Sequence, residues 1–480
     1  MADYEAQIVV VAAGPAGLAA SIQAAEAGAK VIVLEKSGKA GGAANMGMGP
    51  LGIGTRYQKQ QMESITVEKA FNMFMEYTHY NVDARLIRRY FGQSAETIQW
   101  LEDRGVEFEG AYRYFPQSEP TWHIVKTKRG IGPADAMEMN KILYEHARKV
   151  GVQFLFNTPG KKVLMKNGQV AGVLAEDSSG KEIEIACQAV IICTGGAGSN
   201  KEMIKEETGY KFGEDMFSFA VPGLTGDGLR MAWEAGAAKV PVRIEQAASI
   251  EGLSGLPDSV SNVMRQPNLL VNLFGKRVMN EEYMQNCTYL SNVCSHQKNR
   301  VCISIVDTSI AEYYVENGVD NVSMVTPDPD VSSFPDGIRK AKEHGNRGMF
   351  IADTIEELAQ MSGIDEKALA RTVEQYNEFC RSADTEFFKD RRYLRPLVKA
   401  PFYGARFRPG GYGTVGGIRI NENCEACDEQ FNPVPGLYAA GADACNIYDD
   451  SYMFLLPGNS MGFALNTGRF AAMTAVQKLK

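Results

Sequence analysis

The chain opens with short apolar runs that carry no polar alternation. Residues 8–11 read Ile-Val-Val-Val, and the block "KVIVLEK" repeats the pattern further on. Uninterrupted β-branched runs of this length predict strands of a parallel sheet covered on both faces. Between them "PAGLAASIQAAEAG" predicts a helix: proline in its first turn, an alanine-rich body, and Gly28 as its stop. "QAVIICTGG" and "GLYAAGADA" predict two more buried strands, each running into a glycine turn. Residues 66–105 and 134–150 read as helices, and 153–175 as paired strands that reverse at Lys166–Gln169. From about Val242 to Thr414 the texture changes. Segments shorten, "PDPD" and "FPDG" mark turns, and a polar helical stretch runs from Thr354 to Ser382. "PGNSMGFALNTGRFAAMTAVQKL" reads as a closing helix. The pattern predicts an α/β protein. One domain, 1–242 and 415–480, is interrupted by an inserted α+β domain, 243–414.

The first turn gives the larger domain a chemistry. "AAGPAG" nearly matches the dinucleotide fingerprint G-x-G-x-x-G, with Ala12 at the first glycine. Gly14 lets backbone approach a pyrophosphate, and Gly17 lets the helix lie close on the strand. Ala12 is expected to need only a turn of negative φ. The helix start, with Pro15 and Ala16, offers unpaired N–H groups to a diphosphate. Glu35 lies 18 positions after Gly17, where an acid should accept from a ribose hydroxyl. Strand, turn, helix, strand and acid together predict a Rossmann-like nucleotide domain. "GKAGGAANMGMGPLGIG" is too glycine-rich for an element interior and suits a loop around a large ligand.

Composition narrows the partners. Apolar residues make up 45% and charged residues 22%, the balance of a globular protein. A net charge of −8 argues against nucleic acid, which needs a basic face. No apolar run approaches 18 residues, so no membrane span is expected, and the acidic start shows no signal peptide. Nine cysteines, an odd and scattered set that includes Cys187, Cys193 and Cys302 in apolar strands, fit free thiols in a reducing cytoplasm. "CEAC", Cys424 to Cys427, admits a redox pair or half a metal site. It has no second cysteine pair at zinc spacing and opens no helix, so it reads as an incidental exposed turn. No metal site is expected.

The motifs in order resemble the flavoproteins of the fumarate reductase and succinate dehydrogenase superfamily, most closely their soluble branch. That branch includes fumarate and urocanate reductases, 3-ketosteroid dehydrogenases and tetrahydrodaidzein reductases. The markers are "AAGPAG" with Glu35, "CTGGAGSN", "TGDG", "GKRVMNE", "GTVGGIRI", and "GLYAAGADA" followed by "PGNSMGFALNTGR". The resemblance implies FAD. It places the diphosphate and adenosine ribose on Gly14, Pro15, Ala16, Gly17 and Glu35. It sets the flavin on a loop with Gly41, Gly42, Ala43, Ala44 and Gly47. It adds Thr194, Gly195, Gly196, Asp227 and Gly441, with Asp443 on the ribityl chain in place of an acid at Ala442. The helix opening at Asn459, Ser460 and Met461 should present N–H groups to the flavin N1 and C2 carbonyl. The membrane-bound members link FAD to a histidine in the loop. The five histidines here lie elsewhere, so FAD is expected to be non-covalent.

Departures from the resemblance bear on substrate. Gln285 stands where fumarate reductases carry a proton-donating arginine, ten residues after Gly275. Tyr412 and Gly413 replace a substrate histidine, and Leu455, Leu456 and Pro457 occupy the place of a carboxylate-clamping arginine. Only Arg265 roughly keeps a substrate-side cation. A dicarboxylate needs several fixed donors, since unpaired buried carboxylates are costly. The expected substrate is therefore mostly neutral, cyclic or phenolic, and its activated double bond takes a hydride from flavin N5. Tyr412, Tyr452 and Tyr283 are the candidate proton donors, with Gln285 and Arg265 as candidate orienting groups. Tyr448 lies in the same class of segment. His123 and "GKRVMNE" are read as structural. An external electron donor, NAD(P)H or a redox protein, is required, because only one dinucleotide fingerprint is visible. The alternatives are a ketosteroid-type dehydrogenase running in reverse and a non-catalytic flavin electron carrier.

Overall fold

A computed structural model describes residues 2–219, 221–252, 256–449 and 451–479. The two apolar runs at the start are central strands, β1 (Ile8–Val11) and β2 (Val31–Glu35), both buried along their whole length. The alanine-rich segment between them is the helix α1 (Pro15–Glu26). β3 (Gln153–Phe156) extends the sheet beside β2. β4 (Ala189–Ile192) lies on the other side of β1. Beyond it come β5 (Glu425–Cys427) and β6 (Pro433–Ala439). The order is β5-β6-β4-β1-β2-β3, parallel except for β5. This is an α/β sheet whose strands are apolar on both faces because both faces are covered. The closing helix α2 (Asn459–Leu479) packs along α1.

The residues form two compact units. The first holds 1–210, 218–245 and 412–480, and the second 211–217 and 246–411. The crossings fall after Glu245 and Gly411, a few residues from the expected 242 and 414. Lys211–Phe217, expected with the nucleotide half, belongs to the second unit. A backbone bond holds it there, Phe217 N–H to Pro409 O at 3.1 Å. The expected hairpin is present: Gly160–Lys166 and Gln169–Glu176 pair antiparallel, and Asn167 and Gly168 turn with φ of +53° and +79°.

The second unit is built on antiparallel strands. Cys302–Asp307 pairs with Leu269–Asn272 on one side and with Phe402–Arg408 on the other. A buried charge cluster lies within this unit. The Arg277 guanidinium bonds to Glu281 at 2.8 and 3.0 Å and to Asp384 at 2.8 and 2.9 Å. Lys389 lies 3.5 Å from Glu281. Among the described residues no helix is long and apolar enough to cross a membrane.

Candidate active site

The strand-to-helix turn corrects one expectation. Ala12 has φ +86°, not a negative value. The chain reverses through the left-handed region where the fingerprint ordinarily uses glycine, and alanine bears its Cβ there at a cost of about 1–2 kcal/mol. Gly17 shows why the turn is so tight. A Cβ at Gly17 would stand 1.9 Å from Ala12 O, so helix and turn touch backbone to backbone. Beside Gly14 a Cβ would meet nothing within 4 Å, and no side chain caps the helix. The start of α1 therefore opens on free space with its N–H groups available.

Glu35 is buried at the end of β2. One carboxylate oxygen accepts from Ala13 N–H and the other from Ser37 N–H, both at 2.8 Å. Each oxygen keeps a lone pair for a further donor. Gly41 N–H is bonded to Ala13 O at 2.8 Å, which ties the glycine loop to the turn. Gly42, Ala43 and Ala44 form a single 3₁₀ stretch, Gly42–Met46, and Gly47 N–H caps it on Ala44 O. Asp227 pairs with Lys36 at 2.6 Å and accepts from Thr225 at 2.7 Å. Partial burial raises its pKa, but Lys36 and Thr225 outweigh that and hold the carboxyl below its usual value.

The Asp443 carboxylate is fully buried and accepts from the Thr194 hydroxyl at 3.0 Å, Gly195 N–H at 3.0 Å and Gly196 N–H at 2.8 Å. Those bonds brace the Thr194–Gly196 turn. Burial pushes its pKa up against the pull of these donors. Gly441 N–H is held by the Thr467 hydroxyl at 3.0 Å.

The start of α2 carries the strongest sign of a missing ligand. The Asn459 side chain is fully buried, yet neither of its amide atoms has a partner. Asn140, which bonds the loop residue Asn45 at 2.9 Å, also leaves its amide oxygen unpaired. Buried polar atoms of this kind ordinarily find a partner. A flavin, with ring nitrogens and carbonyls, supplies both donors and acceptors. The open face at Gly14, the free lone pairs of Glu35 and the orphaned amides together fit FAD.

The candidate catalytic residues divide between the units. In the first, Tyr412 stacks flat on Phe219, with centroids 4.8 Å apart at 11°, and meets Phe454 edge-on at 6.4 Å. Tyr452 is buried against Phe454 at 4.8 Å and Tyr448 at 4.6 Å. Phe454 also stacks on Tyr114 at 5.1 Å. The structure thus brings Tyr412 and Tyr452 to one aromatic cluster, with Phe454 between them. In the second unit, the Gln285 side-chain N–H donates to Arg265 O at 3.1 Å, and Arg265 donates to Ser261 and to Ala248 O. Tyr283 sits on a short 3₁₀ turn with its side chain 46% exposed, the least enclosed of the three tyrosines.

Cys424, Cys427 and Glu245 stand apart from their sequence reading or outside it, and His123 agrees with it. Cys424 and Cys427 are buried, not exposed, because β5 belongs to the sheet, and burial pushes their thiols up to about 12 and about 11. His123 is packed as expected: its ring bonds Thr55 at 2.7 Å and Thr121 O at 3.0 Å, and burial lowers its pKa to about 4. Glu245, which sequence reasoning passed over, has its carboxyl pushed up by burial, an effect that Ser460 and Tyr452 oppose. The available signal was an acid in the otherwise apolar-alternating "KVPVRIEQ", Lys239–Gln246, whose neighbouring positions are buried.

Comparison with known proteins agrees with this site. The family model described as FAD binding domain matches residues 7–461. The chain is 31% identical over 485 residues to the vinyl phenol reductase of Lactiplantibacillus plantarum, covering 98% of this chain and 96% of that one. It is 27% identical to the fumarate reductase (cytochrome) of Shewanella frigidimarina, covering 98% of this chain and 77% of that one. Among solved structures it is similar to the 3-ketosteroid-delta4-(5alpha)-dehydrogenase from Rhodococcus jostii RHA1 in complex with 4-androstene-3,17-dione. That likeness has a TM-score of 0.79 and 25% identity, over 99% of this chain and 98% of that one. With the cradle for FAD and these relatives in view, the chain belongs to the FAD binding domain family, within the fumarate reductase and succinate dehydrogenase flavoprotein superfamily, as an FAD-dependent oxidoreductase.

Proposed function

We propose that the protein reduces the activated C=C bond of a mostly neutral, planar substrate of the phenolic class, with Tyr452 as proton donor. The aromatic cluster carries this reading. Tyr412, Phe219, Phe454, Tyr114 and Tyr452 offer flat apolar faces and phenolic hydroxyls. Such faces stack on conjugated rings, at about 0.5–1.5 kcal/mol per pair beyond area burial. Leu455, Leu456 and Pro457 beside them bring no cation. The name of the vinyl phenol reductase, a relative over the full length, points the same way. When bound, FAD supplies the hydride from N5 after reduction by an external donor, NAD(P)H or a redox protein. The chain's own residues hold the substrate plane and deliver the proton. Of the tyrosines, Tyr452 is favoured because its ring is the one buried in the cluster, directly against Phe454. A ketosteroid-type reaction in the reverse direction is the second reading, supported by the likeness to the ketosteroid dehydrogenase structure.

The test is reoxidation of the dithionite-reduced enzyme, followed by flavin absorbance, with a vinyl phenol, fumarate and a 3-ketosteroid offered in turn. The vinyl phenol is expected to restore the oxidised spectrum fastest. Fumarate is expected to lag by about 10²–10⁴-fold, the worth of a positioned general acid, because Gln285 stands at the arginine position. Equal rates with fumarate would overturn the proposal. A faster ketosteroid would move the assignment to the second reading.

A separate prediction concerns the cofactor bond. None of the histidines at 79, 123, 146, 296 and 344 lies in the loop from Gly41 to Gly47. Acid precipitation should therefore release all the yellow colour to the supernatant. A yellow pellet would show a covalent link.

A further inference from the structure

The strand Lys239–Gln246 has two unlike faces. Val240, Val242, Ile244 and Gln246 are buried, while the other face runs from exposed at Lys239 and Pro241 to half-buried at Arg243 and Glu245. The strand pairs with Gly410–Ile418. Ala247 N–H donates to Gly410 O at 2.9 Å, and a Cβ at Gly416 would stand 2.4 Å from Pro241 O. The two strands are therefore antiparallel. Counting inward from either contact sets Glu245 opposite Tyr412 and Arg243 opposite Thr414. Residues directly opposite share a face, and diagonal ones lie about 7–8 Å apart, within reach of long and aromatic side chains. Arg243 thus has Thr414 beside it and Tyr412 on the diagonal. The Thr414 hydroxyl accepts from Ala197 N–H at 2.7 Å, one residue past the Thr194–Gly196 turn expected to contact FAD. The Tyr412 ring belongs to the aromatic cluster. Arg243 stands between the two.

Its guanidinium has nothing to hold. Nε is buried without a partner, and Arg243 makes no hydrogen bond or ion pair among the described residues, not even with Glu245 two positions on. Arg113 and Arg469 of the same unit show the ordinary arrangement, paired with Glu63 and Glu96 at 2.8 and 2.7 Å. A buried N–H without an acceptor points to a ligand that brings one, and a guanidinium favours an oxyanion. The aromatic faces beside Arg243 select which oxyanion, since guanidinium and ring both suit a planar conjugated ligand.

We propose that Arg243 binds the phenolic oxygen of the substrate as its phenolate. The inference rests on the phenolic reading of the function. A vinyl phenol has one polar atom, and that oxygen is conjugated through the ring to the C=C bond. The phenol proton leaves to solvent as the oxygen accepts from the guanidinium. The phenolate's charge then reaches the terminal alkenyl carbon, which takes the proton of the Tyr452 hydroxyl. A C–H bond forms there, the C=C π bond is lost, and the ring becomes a quinone methide. Its benzylic carbon accepts the hydride, and the ring oxygen returns to phenolate. The substrate gains one proton and one hydride, which is two electrons and two hydrogens. On release the oxygen regains a proton from solvent. Arg243 touches the substrate oxygen and determines specificity.

The test offers the dithionite-reduced holoenzyme 4-vinylphenol, 4-methoxystyrene and cinnamate. The second keeps the conjugated frame without an ionisable proton, and the third carries a carboxylate instead of a phenol. Wild type is expected to prefer 4-vinylphenol over both. Arg243→Gln should lose about 10²–10³-fold with 4-vinylphenol, the worth of one group that stabilises an oxyanion, and change little with 4-methoxystyrene. A second readout needs no turnover. Binding of 4-ethylphenol, the reduced product, to the oxidised enzyme perturbs the flavin absorbance, and in Arg243→Gln it should weaken about 10–100-fold. Arg243→Lys keeps the charge without the fork and should retain part of both effects. FAD content should be unchanged. Wild-type rates and binding in Arg243→Gln overturn the inference, and so does loss of FAD, which would give the guanidinium to the cofactor. A wild-type preference for cinnamate that Arg243→Gln loses overturns it as well, since the oxyanion is then a carboxylate. If 4-vinylphenol fails to reoxidise the wild type, the phenolic function itself falls. If it reacts fast in wild type and equally fast in Arg243→Gln, the role of Arg243 alone falls. Should Arg243→Gln not fold, Arg243→Lys and the wild-type preference over 4-methoxystyrene decide.

Discussion

Tyr452→Phe will slow substrate-dependent reoxidation of the reduced enzyme by about 10²–10⁴-fold, the contribution of a positioned proton donor. Bound FAD should remain. The ring is packed between Tyr448 and Phe454, and phenylalanine keeps those contacts. What goes is the hydroxyl, with no change to the ring. As a structural loss that is a hydrogen bond's worth, about 0.5–1.5 kcal/mol, so the protein should still fold. Tyr412→Phe provides the comparison. Its ring lies flat on Phe219, and if its hydroxyl only orients substrate, removal should cost that smaller amount. Stopped-flow spectra of the anaerobic reduced variants separate the two. Wild-type rates in both single variants and in the double variant would move the donor to Tyr283 or Tyr448.

The second large effect is on stability. Arg277→Leu is expected to destabilise the second unit by about 3–5 kcal/mol, because it leaves buried carboxylates without their cation. The Arg277 side chain is 1% exposed, and its partners Glu281 and Asp384 are 0% exposed. Lys389 remains 3.5 Å from Glu281, but burial lowers its own pKa and it makes a weak substitute. Burial raises the Asp384 carboxyl, but Arg277 and backbone N–H donors outweigh it, and the net position is well below the usual range. A depressed carboxyl stabilises the fold above its unfolded pKa, and that stability is lost as pH falls toward the native value. The deficit of the variant should therefore be largest near neutral pH and shrink in acid. The three tryptophans, Trp100, Trp122 and Trp233, all lie in the first unit, so their fluorescence would miss the change. Hydrogen exchange in Cys302–Asp307 and Phe402–Arg408 reads it directly. Unchanged exchange there would show that the cluster carries no such stability.

Much of the first unit is legible in its sequence because burial writes itself locally. The Ile8–Val11 and Val31–Glu35 runs, the Pro15 start and the Asn167-Gly168 turn each need only a few neighbouring residues to be read. What stays hidden depends on partners far along the chain. The donors that hold Asp443 lie at Thr194, Gly195 and Gly196, nearly 250 positions away, and nothing near it in the sequence announces them. Ala12 hides its left-handed turn because alanine is silent about φ; only the contact with Gly17 reveals how tight the turn is. "CEAC" reads as exposed from its polar flanks, but antiparallel pairing with Pro433–Ala439 draws it into the sheet. Glu245 reads as one acid among many, because the burial that raises its carboxyl comes from the fold and not from its neighbours in sequence.

The strand order has a consequence for how the chain is made. β4 lies between β1 and β6, and β6 leaves the ribosome long after β4. α1, which follows the first strand, packs along α2, the final helix. At a synthesis rate of about 5–20 residues per second, the first half of the nucleotide sheet waits tens of seconds for its missing edge. The second unit, by contrast, lies almost wholly in one stretch, 246–411, and has its strands in hand before the first is complete. During translation the part that emerges first is the part that finishes last. An apolar face of β4 and α1 stays uncovered in that interval, and it is there that a nascent chain needs a chaperone's protection.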